Sequence, residues 1–190
     1  MNNDNKSYFE YLIIISKVFR DKCYYTMFRH FDLFEKVERI YPNDKYYAWK
    51  DLIDQPNHII DNIYLGSAFN AADEKWLKNN DIGVIVNTTE SISNFFPEQF
   101  TYYNYPAEDL ESGSLSKYYD KFVETVKTNK DKKILVHCYA GRSRSASLVL
   151  YYLIKYHDMS LCDALEYLKS KRKIVNINQE FVQEISKSVQ

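Results

Sequence analysis

Lys133-Ile134-Leu135-Val136-His137-Cys138-Tyr139-Ala140-Gly141-Arg142-Ser143-Arg144-Ser145 is the stretch that decides the fold. Its apolar centre, Ile134 to Val136, predicts a strand over Lys133–His137 covered on both faces. Beyond it, Ser145 to Tyr156 is nearly all apolar, which predicts a core helix. The polar loop between them therefore lies at the carboxyl end of a buried strand, where open α/β sheets place their ligands.

Such a loop has a definite chemical capacity. Its successive N–H groups can curl into an anion-binding nest, and the helix N-terminus adds positive partial charge. Gly141 provides a residue free to take positive φ. Arg144, at the start of the helix, can fork two hydrogen bonds onto two oxygens of a phosphoryl group. Cys138 stands at the mouth of the nest, where the same amides and the helix end lower a thiol pKa. A thiolate facing a cradled phosphorus atom is placed for in-line displacement. The five residues between Cys138 and Arg144 are enough to wrap one loop round one phosphate. A Walker loop, GxxxxGK followed by Ser or Thr, is absent, which excludes nucleotide binding by that route.

Outward from this segment, strands and helices alternate from about Gln55. Ile63-Tyr64-Leu65 reads as a strand, followed by a helix capped by Asn70 with Asp73 and Glu74 in its first turn. Gly83 to Thr88 and Phe100 to Tyr105 read as further strands, and Ser116 to Thr128 as a helix. Ser160 and Asn178 cap the last two helices. The expected class is α/β: a central, mostly parallel sheet with helices on both faces. Residues 1–52 differ. Ser7-x-x-Glu10 is a capping box, and Phe28, Phe31, Phe34 and Val37 recur at helical spacing until Pro42. They read as a helical extension with aromatic faces, packed on the main domain (residues 53–190), in a dimer contact, or on a membrane surface.

Composition narrows the classes. Of the 190 residues, 25 are Lys or Arg and 26 Asp or Glu, for a net charge of −1. Neither the extension nor the main domain holds the basic excess that polyanion binding needs, so nucleic acid is not an expected partner. Three cysteines (Cys23, Cys138, Cys162), with no CxxC pair, point to a reducing compartment, hence a cytoplasmic protein, rather than to disulfides or a zinc cluster. Cys23 and Cys162 read as packing residues. The longest apolar stretch, Tyr8 to Phe19, is interrupted by charge and too short to span a bilayer, and no signal peptide is visible. Asn87-Thr88-Thr89 matches a glycosylation acceptor but ends a core strand, so it is set aside. Lys169-Ser170-Lys171-Arg172-Lys173 reads as a solvated basic helix end.

The segment from His137 to Ser145 resembles the signature of cysteine-dependent protein phosphatases, HCxxGxxR followed by Ser or Thr. Further stretches are similar to the dual-specificity members: Asn62-Ile63-Tyr64-Leu65-Gly66-Ser67, Ile85-Val86-Asn87, Ala107-Glu108-Asp109 and Asn178-x-x-Phe181. The likeness covers about residues 55 to 188. It implies that Cys138 forms a phosphocysteine, and that Arg144 with the amides of Tyr139, Ala140, Gly141, Arg142, Ser143 and Arg144 holds the phosphoryl oxygens. It implies that Asp109 is the general acid and then the base, with Glu108 and Glu111 as neighbouring carboxylates and Glu111 the alternative acid. Ser145 would bond the Cys138 sulfur, and His137 would brace the loop. No cofactor or metal is implied, since Arg144 and the amides supply the positive charge. The family often has Pro where Lys173 stands, a departure that touches a loop and not the chemistry. The resemblance implies a phosphorylated protein as substrate, and a pocket shallow enough for phosphotyrosine and phosphoserine or phosphothreonine. Arg142 on the rim leaves a lipid or other non-protein phosphomonoester as the alternative, with a phosphate-binding module of little turnover behind it.

Overall fold

The computed structural model describes residues 55–109 and 113–189. The expected N-terminal extension, Cys23, the 52/53 boundary and Glu111 lie outside the described residues. Five strands form one sheet: β1 (Asn57–Ile60), β2 (Ile63–Gly66), β3 (Ile82–Asn87), β4 (Thr101–Asn104) and β5 (Lys133–His137). Their order is β1-β2-β5-β3-β4. β1 and β2 are antiparallel, while β2–β5, β5–β3 and β3–β4 are parallel, so the sheet is mixed but mostly parallel. β5 lies between β2 and β3, and the carboxyl ends of all three meet at one edge of the sheet.

β1 was not legible in the sequence. Only Ile59 of its four residues is buried, so no alternation marks it. It exists because Asp61 takes φ 48° and, with Asn62, turns the chain back onto β2.

The helices are α1 (Ala68–Ala71), α2 (Glu74–Asn79), α3 (Ser116–Thr128), α4 (Arg144–His157), α5 (Leu161–Lys171) and α6 (Gln179–Ser188). The predicted cap at Asn70 is corrected. Ser67 caps α1 and Asp73 caps α2, while the buried Asn70 supplies the returning half of the Ser67 capping box, accepting Ser67 N–H at 2.8 Å. Asn178 and Ser160 do cap α6 and α5. α3 has no side-chain cap of its own. Glu184 from α6 accepts Leu115 N–H at 3.1 Å and Tyr119 Oη–H at 3.2 Å, which ties the last helix to the start of α3.

Two apolar layers cover the sheet. α3, α4, α5 and α6 pack over Ile63, Leu65, Val84, Val86, Ile134 and Val136. Ala71, Trp76 and Leu77 pack on the other face with Ile85 and Leu135. Along β5 the pleat sends Ile134 and Val136 into the first layer and Leu135 into the second, so the strand is buried on both faces. β3 breaks the alternation: its register slips between Ile82 and Val84, so Ile82 joins Ile85 on the second face. α4 is buried almost all round because α3, α5 and α6 each pack against it. Each fully buried leucine there contributes about 1.5–3 kcal/mol. Asn87 is 2% exposed and its amide donates to Ile92 O, which fits its place as a strand terminus rather than a glycan acceptor. Among the described residues no helix is long and apolar enough to cross a membrane.

Candidate active site

The loop from Cys138 to Ser143 is shaped by where its carbonyls go. His137 O accepts from Thr88 N–H at 3.0 Å and from the Thr88 hydroxyl at 2.9 Å. Tyr139 O accepts from Ala68 N–H at 3.0 Å, and Arg142 O from Asn176 N–H at 3.0 Å. Ser143 O takes Ser147 N–H at 2.8 Å and the Ser147 hydroxyl at 2.9 Å. The carbonyls of Ala140 and Gly141 are held by one side chain, Arg172, through Nη2 at 3.0 Å and Nε at 2.9 Å. With the carbonyls engaged on the outside, the N–H groups of Tyr139, Ala140, Arg142 and Ser143 donate to no backbone carbonyl among the described residues. They form the inner lining, an anion nest at the start of α4.

Gly141 is required twice over. Its φ is +67°, and a Cβ there would stand 2.3 Å from Gly66 O, at the end of the neighbouring strand β2.

Arg172 corrects the reading of its cluster as solvated. Lys169, Lys171 and Lys173 are exposed, but Arg172 is 3% exposed. It also donates to Asn57 Oδ1 at 2.8 Å. The signal that could have found it is positional: Ala164, Leu168 and Arg172 fall on one stripe at i, i+4 and i+8, and the first two are the buried residues of α5. Cys162 is also corrected. It is exposed on α5 and packs in no core.

Cys138 is buried at the base of a cavity of about 470 Å³ that Asp109, Tyr139, Arg142, Arg144, Ile177 and Asn178 help to line. Its Sγ accepts from Gly141 N–H at 3.2 Å and from the Ser145 hydroxyl at 3.3 Å. Burial alone pushes the thiol pKa up. The Arg144 charge, the Ser145 hydroxyl and the N–H groups of Ser145 and Arg142 outweigh it and hold the thiol below its ordinary range.

His137 is buried, with Nδ1 3.2 Å from Cys138 O. A carbonyl only accepts, so Nδ1 carries the proton, and among the described residues His137 braces the one loop carbonyl without another partner. Burial pushes its pKa down to about 4, against a smaller opposite effect of that hydrogen bond, and the Arg144 charge adds to the fall. The ring is therefore neutral at pH 7.

Arg144 reaches across to the loop after β4. Its Nη1 donates to Ala107 O at 3.2 Å, and its Nε lies 3.4 Å from Asp109 Oδ2, an ion pair by distance without the alignment of a hydrogen bond. Asp109 Oδ1 accepts the Ser143 hydroxyl at 2.8 Å. Asp109 thus shares the cavity with Cys138 and Arg144, whereas Glu108 is exposed and lines no part of it. The structure brings together Cys138, Arg144, Asp109, Ser143 and Ser145 from two segments 29 positions or more apart. It adds Asn176, Ile177, Asn178 and Gln179, of which the sequence singles out only Asn178, as a helix cap and as part of Asn178-x-x-Phe181.

Residues 63–189 match the family model of the dual specificity phosphatase catalytic domain. The chain belongs to the dual specificity phosphatase family. It is 37% identical over 136 residues to the protein phosphatase Slingshot of Drosophila melanogaster, an alignment covering 70% of this chain and 13% of that protein. With the Arabidopsis thaliana dual specificity protein phosphatase 1 it shares 33% over 160 residues, covering 82% of this chain and 76% of the relative. The chain therefore spans only a small part of the length of the Slingshot protein. Among solved structures, DUSP15 superposes with a TM-score of 0.66 at 27% identity, over 70% of this chain and 86% of that one. The human tyrosine phosphatase-like serine/threonine/tyrosine-interacting protein superposes at 0.65 with 24% identity, over 70% and 94%, and shares the fold.

Proposed function

We propose that this chain hydrolyses phosphotyrosine and phosphoserine or phosphothreonine monoesters of proteins through a phosphocysteine. The observation that carries the reading is the Cys138 sulfur at the base of an amide-lined cavity beside Arg144, where it accepts hydrogen bonds from Gly141 N–H and the Ser145 hydroxyl and its thiol is held below its ordinary range. In the first step Cys138 Sγ attacks phosphorus, the S–P bond forms as the O–P bond of the ester breaks, and Asp109 gives its proton to the departing oxygen. Arg144 and the loop amides carry the negative charge of the equatorial oxygens. In the second step water attacks phosphorus, Asp109 takes a proton from that water, and the thiolate leaves with the Ser145 hydroxyl on its sulfur. No metal ion or cofactor enters either step, because Arg144 and the amides supply the positive charge. A thiolate nucleophile needs a reducing environment, which fits a cytoplasmic protein.

The test is phosphate release in EDTA from an aryl phosphate, from phosphotyrosine and phosphothreonine peptides and from a phosphoinositide, with Cys138→Ser as control. Cys138-dependent release from both peptides bears out the reading; release from neither peptide overturns it.

A second reading rests on Arg142. Its side chain is exposed on the cavity rim, and no carboxylate among the described residues pairs with it. A phosphate flanked by further negative charge, as in an anionic lipid, would meet this arginine, and release from the phosphoinositide alone would select that substrate class. For residues 1–50 the proposal is a homodimer contact, motivated by their surplus of aromatic residues. Sedimentation of the chain with and without them tests it, an unchanged number of chains per particle counting against.

A further inference from the structure

The geometry points to Ser143 as the positioning residue of the general acid: its hydroxyl fixes the Asp109 carboxyl and decides which of its two oxygens delivers the proton. The inference rests on Asp109 being that acid. Ser143 Oγ lies between two partners. Asn178 N–H is 3.2 Å away and can only donate, so the oxygen of Ser143 accepts there. The single hydroxyl proton is then directed to Asp109 Oδ1, 2.8 Å away. An oxygen that accepts this bond is the unprotonated one, so in the neutral acid the transferable proton sits on Oδ2. Oδ2 is also the oxygen 3.4 Å from Arg144 Nε, on the side where Arg144 would hold a phosphoryl group.

The balance is simple. The proton leaves Asp109 Oδ2 for the ester oxygen as the P–O bond breaks, and Ser143 keeps its own proton throughout. The chain from Asn178 through Ser143 to Asp109 also joins the N-cap of α6 to the acid-bearing loop, which among the described residues is otherwise hydrogen-bonded to the phosphate loop through Arg144. Without the hydroxyl, the carboxyl rotates freely and its proton divides between two oxygens, so fewer encounters have it aimed at the leaving group.

General-acid positioning is read by the leaving group rather than by the rate alone. The experiment measures kcat/KM for a series of aryl phosphates whose phenols span a range of pKa, with wild type, Ser143→Ala, Ser143→Thr, Asp109→Asn and the Ser143→Ala/Asp109→Asn double variant. The slope against phenol pKa compares substrates on one enzyme preparation, so a partly unfolded variant leaves it unchanged. The expected slope is shallow for wild type, steep for Asp109→Asn and intermediate for Ser143→Ala, which should lose about 10- to 100-fold on the poorest leaving groups and much less on the best. Ser143→Thr, which keeps the hydroxyl, should restore the shallow slope, and the double variant should be no steeper than Asp109→Asn. A Ser143→Ala line parallel to wild type, beside a steep Asp109→Asn line, overturns the inference and leaves Asp109 as the acid. A shallow Asp109→Asn line removes the acid itself, and the inference with it.

Discussion

The two sides of the phosphate loop are made in different ways. The concave side, which faces the cavity, takes its chemistry from residues 138 to 145: the Cys138 sulfur, the Arg144 guanidinium, the Ser145 hydroxyl and the amides between them. The convex side is held from elsewhere in the chain, by Ala68, Thr88, Arg172 and Asn176. In the proposed reaction the lining supplies the reacting groups, while the backing spends its hydrogen bonds on carbonyls and leaves the amides to line the cavity. Preorganised amides do not have to turn when charge develops, which is where such a site gains over water. Changes to the lining should therefore remove chemistry and leave the fold, while changes to the backing should cost both.

The largest effect expected is at the lining. Cys138→Ser should abolish turnover while the protein still binds phosphate esters with an unchanged thermal midpoint, because a serine hydroxyl is not ionised at neutral pH. Turnover above the blank would break the assignment of the nucleophile. Asp109→Asn comes next, with kcat lower by about 10²–10⁴-fold and the limb of the pH profile that belongs to the acid gone. A near-wild-type Asp109→Asn beside a crippled Glu111→Gln would move the acid to Glu111.

On the backing, Arg172→Met should lower stability and kcat/KM together. It leaves the carbonyls of Ala140 and Gly141 without donors, at about 1–3 kcal/mol for each group left unsatisfied. Arg172→Lys should restore little, since an ammonium cannot reproduce the fork that holds two adjacent carbonyls. Denaturant titration and kcat/KM on an aryl phosphate measure the two effects side by side. Loss of activity at full stability would place Arg172 with the lining and break the comparison.

This division explains what was legible beforehand. The strand–loop–helix, and the meeting of Ser145 with the Cys138 sulfur at the start of the helix, were readable because the residues are contiguous. The strand β5 and the helix α3 have the bounds that apolar patterning predicts, for β5 buries a continuous apolar run and α3 a regular stripe. Arg172 is hard to tell from its neighbours by composition, because a buried and a solvated arginine look the same in a basic cluster; its place on the stripe of Ala164 and Leu168 is the one local sign, and its partners are the carbonyls of a loop 31 residues away. β1 was missed because only Ile59 of its four residues is buried and β2 supplies the reason for it to be a strand. Ser143 was read for its amide alone, since nothing in the order of residues shows that its hydroxyl meets Asp109 across 34 positions.

His137 is the member of the signature that works on the backing, and it gives the smallest and most specific test. An imidazole in the unfolded chain titrates near 6.5, whereas burial in the fold pushes His137 down to about 4. Between these values the unfolded chain binds the extra proton, so stability rises with pH across that window and is lost as pH falls through it. The full effect is about 3 kcal/mol, and above pH 6.5 it contributes no further slope. His137→Asn keeps a donor near Cys138 O and removes the titration. Urea unfolding of both proteins at pH 4.5, 5.5 and 7 should therefore show wild type losing more stability on acidification than the variant, with most of the difference gained between pH 6.5 and 4.5. Parallel pH dependences would mean that His137 takes up its proton in the fold as readily as in the unfolded chain, and that burial does not hold the ring neutral between pH 6.5 and 4.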